Sequence, residues 1–224
     1  MAGFEIEIKS LLGNEENAEK LRQGILSLPE QGKLIAKSSQ LNHYFIGGDR
    51  EKFIDAFRSR FSDEQFLSFQ KVVREGKTLS VRTRQANGKV LLVVKASIDD
   101  TTSANGISRM EFEEAVSLSL EELDTLLVNC GFSYQSKWSR EREEFSVGDV
   151  TVCLDRNAGY GYVAEFEVLV DEAQHAEDAK QKLFNLMSRL GVEELLQDRL
   201  ERMFAYYNEH WPEYYGTDRV FTVE

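Results

Sequence analysis

Glu5, Glu7 and Lys9 alternate with Phe4, Ile6 and Ile8 at the start of this chain. A period of two is the mark of a strand with unlike faces. One face is apolar, and the other carries two carboxylates and an ammonium within about 14 Å at a rise of ~3.4 Å per residue. The pattern returns with Arg82 and Arg84, Lys95, Glu111 and Glu113, Arg140 and Arg142, Asp155, then Glu165 and Glu167. Each lies on a strand-like segment whose other face is apolar. Together they predict a cavity lined by six basic and seven acidic side chains. Buried charges are costly without partners. A polyphosphate with a divalent cation supplies partners of both signs. Arginine forks and lysine ammoniums take phosphate oxygens, and carboxylates hold Mg²⁺ or Mn²⁺. The plain alternative is an open sheet with one wet face, crossed by surface salt bridges of small energetic weight. That alternative is preferred for Arg109, Glu114, Glu141, Glu143 and Glu144, but not for the repeated set.

The elements that must position these charges are legible in outline. Strands are expected over 3–10, 39–46, 107–116 and 162–170, and helices over 15–27 and 119–131. Between residues 50 and 75, Phe53, Phe57 and Phe61 recur every four residues, and Ser62 with Gln65 makes a capping box. Ser119 with Glu122 makes another, and Gly131 is a helix stop. Asn87-Gly88 predicts a two-residue type I′ hairpin turn. It pairs Ala86 with Lys89, Arg84 with Leu91, Arg82 with Val93 and Ser80 with Lys95, so Arg82, Arg84 and Lys95 share a face. Gly148-Asp149 suggests a type II′ turn pairing Val147 with Val150 and Arg142 with Asp155. Residues 172–210 are expected to be helical, and the last fourteen aromatic and irregular. With no repeat, linker or low-complexity tract, a single domain over 1–224 is expected, with a helical insertion at 47–77. The fold class is α+β: a closed eight-stranded antiparallel β-barrel with helices packed outside.

Composition narrows the partners. The net charge is −12 and the pI about 4.9, which argues against nucleic-acid binding by bulk charge. No apolar run is long enough to span a membrane, and no signal-peptide pattern opens the chain. Cys130 and Cys153 lie outside metal-ligand spacings, and His43, His175 and His210 are far apart. A cytoplasmic protein whose metal is held by oxygen is expected. His43 is expected to be a packed strand residue. Gly159-Tyr160-Gly161 is expected to be a tight turn and not a phosphate cradle. Lys137 is out of phase with Arg140.

Taken in order, these motifs resemble the CYTH family, the triphosphate tunnel metalloenzymes. The opening Glu5-Ile6-Glu7-Ile8-Lys9 is similar to that family's Glu-x-Glu-x-Lys strand. Arg82-Thr83-Arg84, Val94-Lys95, Glu111-Phe112-Glu113, Arg140-Glu141-Arg142, Leu154-Asp155 and Glu165-Phe166-Glu167 follow in the family's order, across residues 3–170. The resemblance implies a closed tunnel holding a triphosphate and one or two divalent cations, Mg²⁺ or Mn²⁺. It implies metal-side roles for Glu5, Glu7, Glu165 and Glu167, with Asp155 a candidate. Lys9, Arg82, Arg84, Lys95, Arg140 and Arg142 would bind the triphosphate. Glu111 and Glu113 would hold metal or orient the basic set. Glu5, Glu7 and Lys9 are the expected catalytic residues. Two departures stand out: Arg140 replaces a common lysine, and Phe145 stands where an aromatic hydroxyl is often found.

The family divides by reaction. Hydrolases direct water at a terminal phosphorus, whereas class IV adenylate cyclases direct a ribose hydroxyl at the α-phosphorus of ATP. Hydrolysis of an inorganic or organic triphosphate (tripolyphosphate, thiamine triphosphate or ATP) is the leading expectation, because it needs fewer extra features. Adenylate cyclase is the alternative, and a non-catalytic nucleotide- or polyphosphate-binding module is the third. Seven carboxylates are more than anion binding alone would need.

Overall fold

The two hairpin turns form as their sequences require. Asn87 and Gly88 both have positive φ, 49° and 78°, the backbone a type I′ turn needs. Gly148 has φ 63°, which fits the first central position of a type II′ turn. The resulting registers match residue for residue: Arg84 faces Leu91, Arg82 faces Val93 and Ser80 faces Lys95, while Arg142 faces Asp155 and Val147 faces Val150. The computed structural model describes residues 4–29, 32–97, 109–171 and 173–222. The expected strand starts at residues 3 and 107, and the expected helical start at 172, lie outside these.

Eight strands and six helices follow one another along the chain. The strands are β1 (Phe4–Gly13), β2 (Lys33–Gly47), β3 (Leu79–Ala86), β4 (Lys89–Ser97), β5 (Arg109–Ala115), β6 (Phe132–Val147), β7 (Val150–Asn157) and β8 (Gly161–Val170). The helices are α1 (Glu15–Leu26), α2 (Arg50–Phe57), α3 (Asp63–Glu75), α4 (Leu120–Asn129), α5 (Ala176–Arg189) and α6 (Gln197–Tyr214). The fold is α+β, an eight-stranded antiparallel sheet in the order β1-β8-β7-β6-β2-β3-β4-β5. That order has two ends, β1 and β5. Each pairs on one side only, so among the described residues no backbone ladder closes the expected barrel. Several elements depart from their expected bounds: strand β1 runs to Gly13 and does not stop at residue 10, and the helix expected over 172–210 is broken between Arg189 and Gln197. Strand β2 begins at Lys33 and not near Ser39. Helix α6 runs through Pro212 to Tyr214, where the expectation was irregular chain. A proline so near a helix end removes one of the final intrahelical bonds and leaves the rest of the helix intact.

The chain divides into two compact units. Among the described residues, one takes in those up to Ser39 and from Ser139 onward, and the other those between Gln40 and Trp138. In the first unit, α1 lays Ala18, Leu21 and Ile25, and α5 lays Leu183, Leu186 and Met187, over Ile6 and Ile8 of β1, Val152 of β7 and Phe166 of β8. In the second, Phe53, Phe57 and Phe69 pack edge-on and tilted, with ring centroids 5.0–5.5 Å apart. They cover Val81, Leu92, Val94 and Phe112. Such rings contribute beyond the area they bury. Both capping boxes form, Ser62 with Gln65 and Ser119 with Glu122. In each unit the helices therefore take the apolar sheet face, which leaves the charged residues on the other.

Candidate active site

In the first unit, β1, β6, β7 and β8 bring eight of the predicted residues onto one sheet face. The register puts Lys9 opposite Glu165, Glu7 opposite Glu167 and Arg142 opposite Asp155. Asp155 is fully buried and accepts from both arginines. Arg142 forks onto it through Nε (2.7 Å) and Nη2 (2.6 Å), and Arg140 Nη1 lies at 2.9 Å. Arg142 Nη2 also reaches Glu165. Lys9 pairs with Glu7 and lies 3.3 Å from Glu165. Burial alone would push the Glu165 carboxyl up. The charges of Lys9, Arg142 and Arg140 outweigh that and hold it well below the ordinary range.

Glu167 behaves in the opposite way. Burial, the neighbouring Glu5 and Glu165 carboxylates and a hydrogen bond with Glu5 push its carboxyl up to about 7, against a weaker pull from Arg142. The face holds six carboxylates (Glu5, Glu7, Glu144, Asp155, Glu165 and Glu167) against three cations (Lys9, Arg140 and Arg142), with Glu144 placed there by its register with Cys153 and Glu165. Like charge crowds Glu167, with Glu5 and Glu165 both beside it. Cys153 faces Glu165 across β7 and β8, and burial raises its thiol far enough to keep it neutral.

In the second unit the set is basic. Arg84 Nη1 forks onto Glu113 at 3.0 and 3.1 Å, and its Nε donates to Asn42 Oδ1 at 2.9 Å. Lys95 Nζ lies 3.1 Å from Glu111. Arg82 has no carboxylate partner among the described residues. Its Nη1 donates to the Tyr44 hydroxyl at 3.1 Å, and its guanidinium lies 4.8 Å from that ring's centre. Asn42 and Tyr44 were absent from the predicted set. The signal was present, since both alternate with Leu41, His43 and Phe45 on β2, but their polarity is unremarkable until β2 registers Asn42 on Arg84 and Tyr44 on Arg82.

Other candidates fall elsewhere. Phe145 lies in the apolar core of the first unit, 1% exposed. It is one residue out of phase with Arg142, so it takes no place on the charged face. His43 is buried on the apolar face of β2, bound to Asp124. Lys137 lies over the Tyr134 ring at 4.3 Å. Glu143 ties Arg22 of α1 to Lys37 of β2.

The donor set can be tested against a divalent metal. No group of three His, Cys, Asp or Glu poised to hold an ion occurs among the described residues. Mg²⁺ does not require one, because it retains waters and is held by one or two carboxylates together with substrate phosphates. Glu167 with Glu5 beside it would supply two such carboxylates, and a cation would relieve the crowding that Glu5 and Glu165 impose on Glu167. The residues fit.

A strand-built face of interlocked arginines and carboxylates, with helices on the reverse side, defines an α+β protein with a charged sheet face. More particularly, the chain belongs to the CYTH domain family, whose model matches residues 3–199. Adenylate cyclase CyaB of Aeromonas hydrophila is 32% identical over 118 residues, which is 53% of this chain. The chain spans about half, 56%, of that relative's length. The PH1819 protein of Pyrococcus horikoshii OT3 superposes with a TM-score of 0.60 at 25% identity, covering 89% of this chain and 99% of its own. The Hippeastrum protein HpAC1, described as revealing a dominant triphosphatase activity, gives 0.51 at 17% identity, covering 85% and 89%. That last likeness speaks for the fold alone. No helix among the described residues is long and apolar enough to cross a membrane.

Proposed function

We propose that this protein is a divalent-metal-dependent enzyme acting on a triphosphate, and that its reaction is hydrolysis of an inorganic or organic triphosphate. One observation carries the reading: the crowded carboxylate pair Glu5 and Glu167 sits on the same sheet face as the Arg140–Arg142–Lys9 network. Anion binding alone would not call for such a pair. Glu5 and Glu167 would hold Mg²⁺ or Mn²⁺, with Glu7 and Glu165 beside them. The cation supplies Lewis acidity and charge neutralisation to phosphate oxygens.

The chain's own residues do the rest. Glu7 and Glu165 keep the Lys9 ammonium directed, and Asp155 holds both arginine forks in place. Lys9, Arg140 and Arg142 then meet charge that develops on the phosphate oxygens, in a site whose dipoles are set beforehand. Arg82, Arg84 and Lys95 are further triphosphate binders, as the family resemblance implies. Glu111 and Glu113 orient Lys95 and Arg84 and are secondary candidates for metal.

A second reading, conversion of ATP to cyclic AMP and pyrophosphate, is favoured by the 32% identity to the Aeromonas cyclase. One experiment separates the two. The purified protein is incubated with Mg²⁺ or Mn²⁺ and, separately, with tripolyphosphate, thiamine triphosphate and ATP, and the products are resolved by chromatography. Orthophosphate release is the expected result. Cyclic AMP with pyrophosphate would establish the second reading, and no turnover of any of the three would refute both.

A further inference from the structure

The arginines on the charged faces are not held alike. Arg142 and Arg140 are anchored by Asp155, and Arg84 by Glu113 and Asn42. Arg82 is anchored by a neutral group, Tyr44, which stands directly opposite it in the β2–β3 register. The two contacts act together. The hydroxyl accepts from Nη1 at 3.1 Å, and the ring lies beneath the guanidinium at 4.8 Å. A planar, delocalised cation over an aromatic face is attracted by the ring quadrupole. A carboxylate in the same place would also orient the fork, but it would cancel its charge. Tyrosine orients it and leaves the charge in force.

The remaining edge of the fork is defined as well. Nε of Arg82 is buried, with no hydrogen-bond partner among the described residues, so packing closes that edge to a ligand as it does to water. Arg82 as a whole is only half-buried, so what it offers to a phosphate oxygen is the accessible end of a guanidinium held by Tyr44.

We propose that Tyr44 is a positioning residue for Arg82, aiming an uncancelled guanidinium at a phosphate oxygen of a polyphosphate ligand. This rests on the triphosphate reading above. Tyr44 acts through Arg82, so its effect exists only while the arginine fork is present.

The test is a double-mutant cycle read by calorimetric binding of tripolyphosphate, and separately of orthophosphate, to metal-free protein. In the wild-type background, Tyr44→Phe keeps the ring and weakens tripolyphosphate binding about fivefold through the lost hydroxyl bond. Tyr44→Leu removes the ring too and weakens binding roughly thirtyfold. Orthophosphate binding changes by a smaller factor in both variants. In an Arg82→Ala background, Tyr44→Phe has no further effect, and the same holds in Arg82→Lys, which keeps charge without a fork. Equal losses with and without the arginine would overturn the proposal while leaving the triphosphate reading in place. Wild-type protein that binds no tripolyphosphate would overturn both. The melting temperature of Tyr44→Phe is measured alongside, and a lowered affinity that tracks a lowered melting temperature in every background would reduce Tyr44 to a packing role.

Discussion

Glu167 and Asp155 show how differently two carboxylates on one sheet face can be treated. Glu167 is raised to about 7 by burial and by Glu5 and Glu165, whereas an unfolded glutamate titrates near ~4.3. Between those values the native protein holds more protons than the unfolded chain, so stability falls as pH rises through that window. Metal-free protein is therefore expected to lose melting temperature from about pH 5 to pH 8. Saturating Mg²⁺ or Mn²⁺, or the substitution Glu167→Gln, flattens the profile. A scan of melting temperature against pH in chelator and in metal checks this, and a flat chelator profile would count against the Glu5–Glu167 pair as the metal site. Asp155 is fully buried and holds two arginines. Asp155→Asn strands that positive charge and is expected to cost about 3–5 kcal/mol in urea unfolding. Glu5→Gln or Glu7→Gln should abolish metal-dependent turnover with the melting temperature little changed. Unchanged turnover in both would remove these residues from the reaction.

At the scale of elements, one buried carboxylate ties α4 to the sheet of the second unit, beside the apolar packing of Leu123 and Leu127. Asp124 accepts from His43 Nδ1–H (2.6 Å), Thr83 Oγ1–H (2.6 Å) and the Tyr134 hydroxyl (2.7 Å). Burial would raise its pKa, but these three donors outweigh burial and lower it. Its contribution to stability is thus complete above the ordinary carboxylate value of about 3.9 and is lost as pH falls through its lowered native value. Asp124→Ala leaves three donors unsatisfied in an apolar setting and is expected to cost about 3 kcal/mol or more at pH 7. In Asp124→Asn, the deficit in urea midpoint against wild type narrows in acid. The β3–β4 turn offers a smaller, cleaner case. A side chain at Gly88 meets nothing within 4 Å but must adopt φ 78°. Gly88→Ala therefore costs about 1 kcal/mol through backbone conformation alone.

For the molecule as a whole, binding must appear as stability. A ligand present at a hundred times its dissociation constant adds about 2.7 kcal/mol to unfolding. Tripolyphosphate with Mg²⁺ is expected to raise the melting temperature more than either alone, because each supplies the charge the other's residues lack. Equal shifts from orthophosphate would contradict a site matched to a chain of phosphates.

The sequence by itself determined a good deal. Local chemistry specifies the turns at Asn87-Gly88 and Gly148-Asp149, and a turn of fixed length specifies a register. The sharing of a face by Arg82, Arg84 and Lys95, and by Arg142 and Asp155, follows from period-two alternation without any long-range information. The α+β class follows from the same alternation joined to amphipathic helices with their capping boxes. What alternation cannot express is which neighbour answers which charge, because that depends on strands far apart in sequence. Only the tertiary structure decided that Asp155 serves two arginines, that Glu167 is crowded by Glu5, and that Tyr44 and Asn42 stand across from Arg82 and Arg84. Pairing and burial set the energy of a charge, and both are properties of strand order and helix cover, which no local run of residues contains.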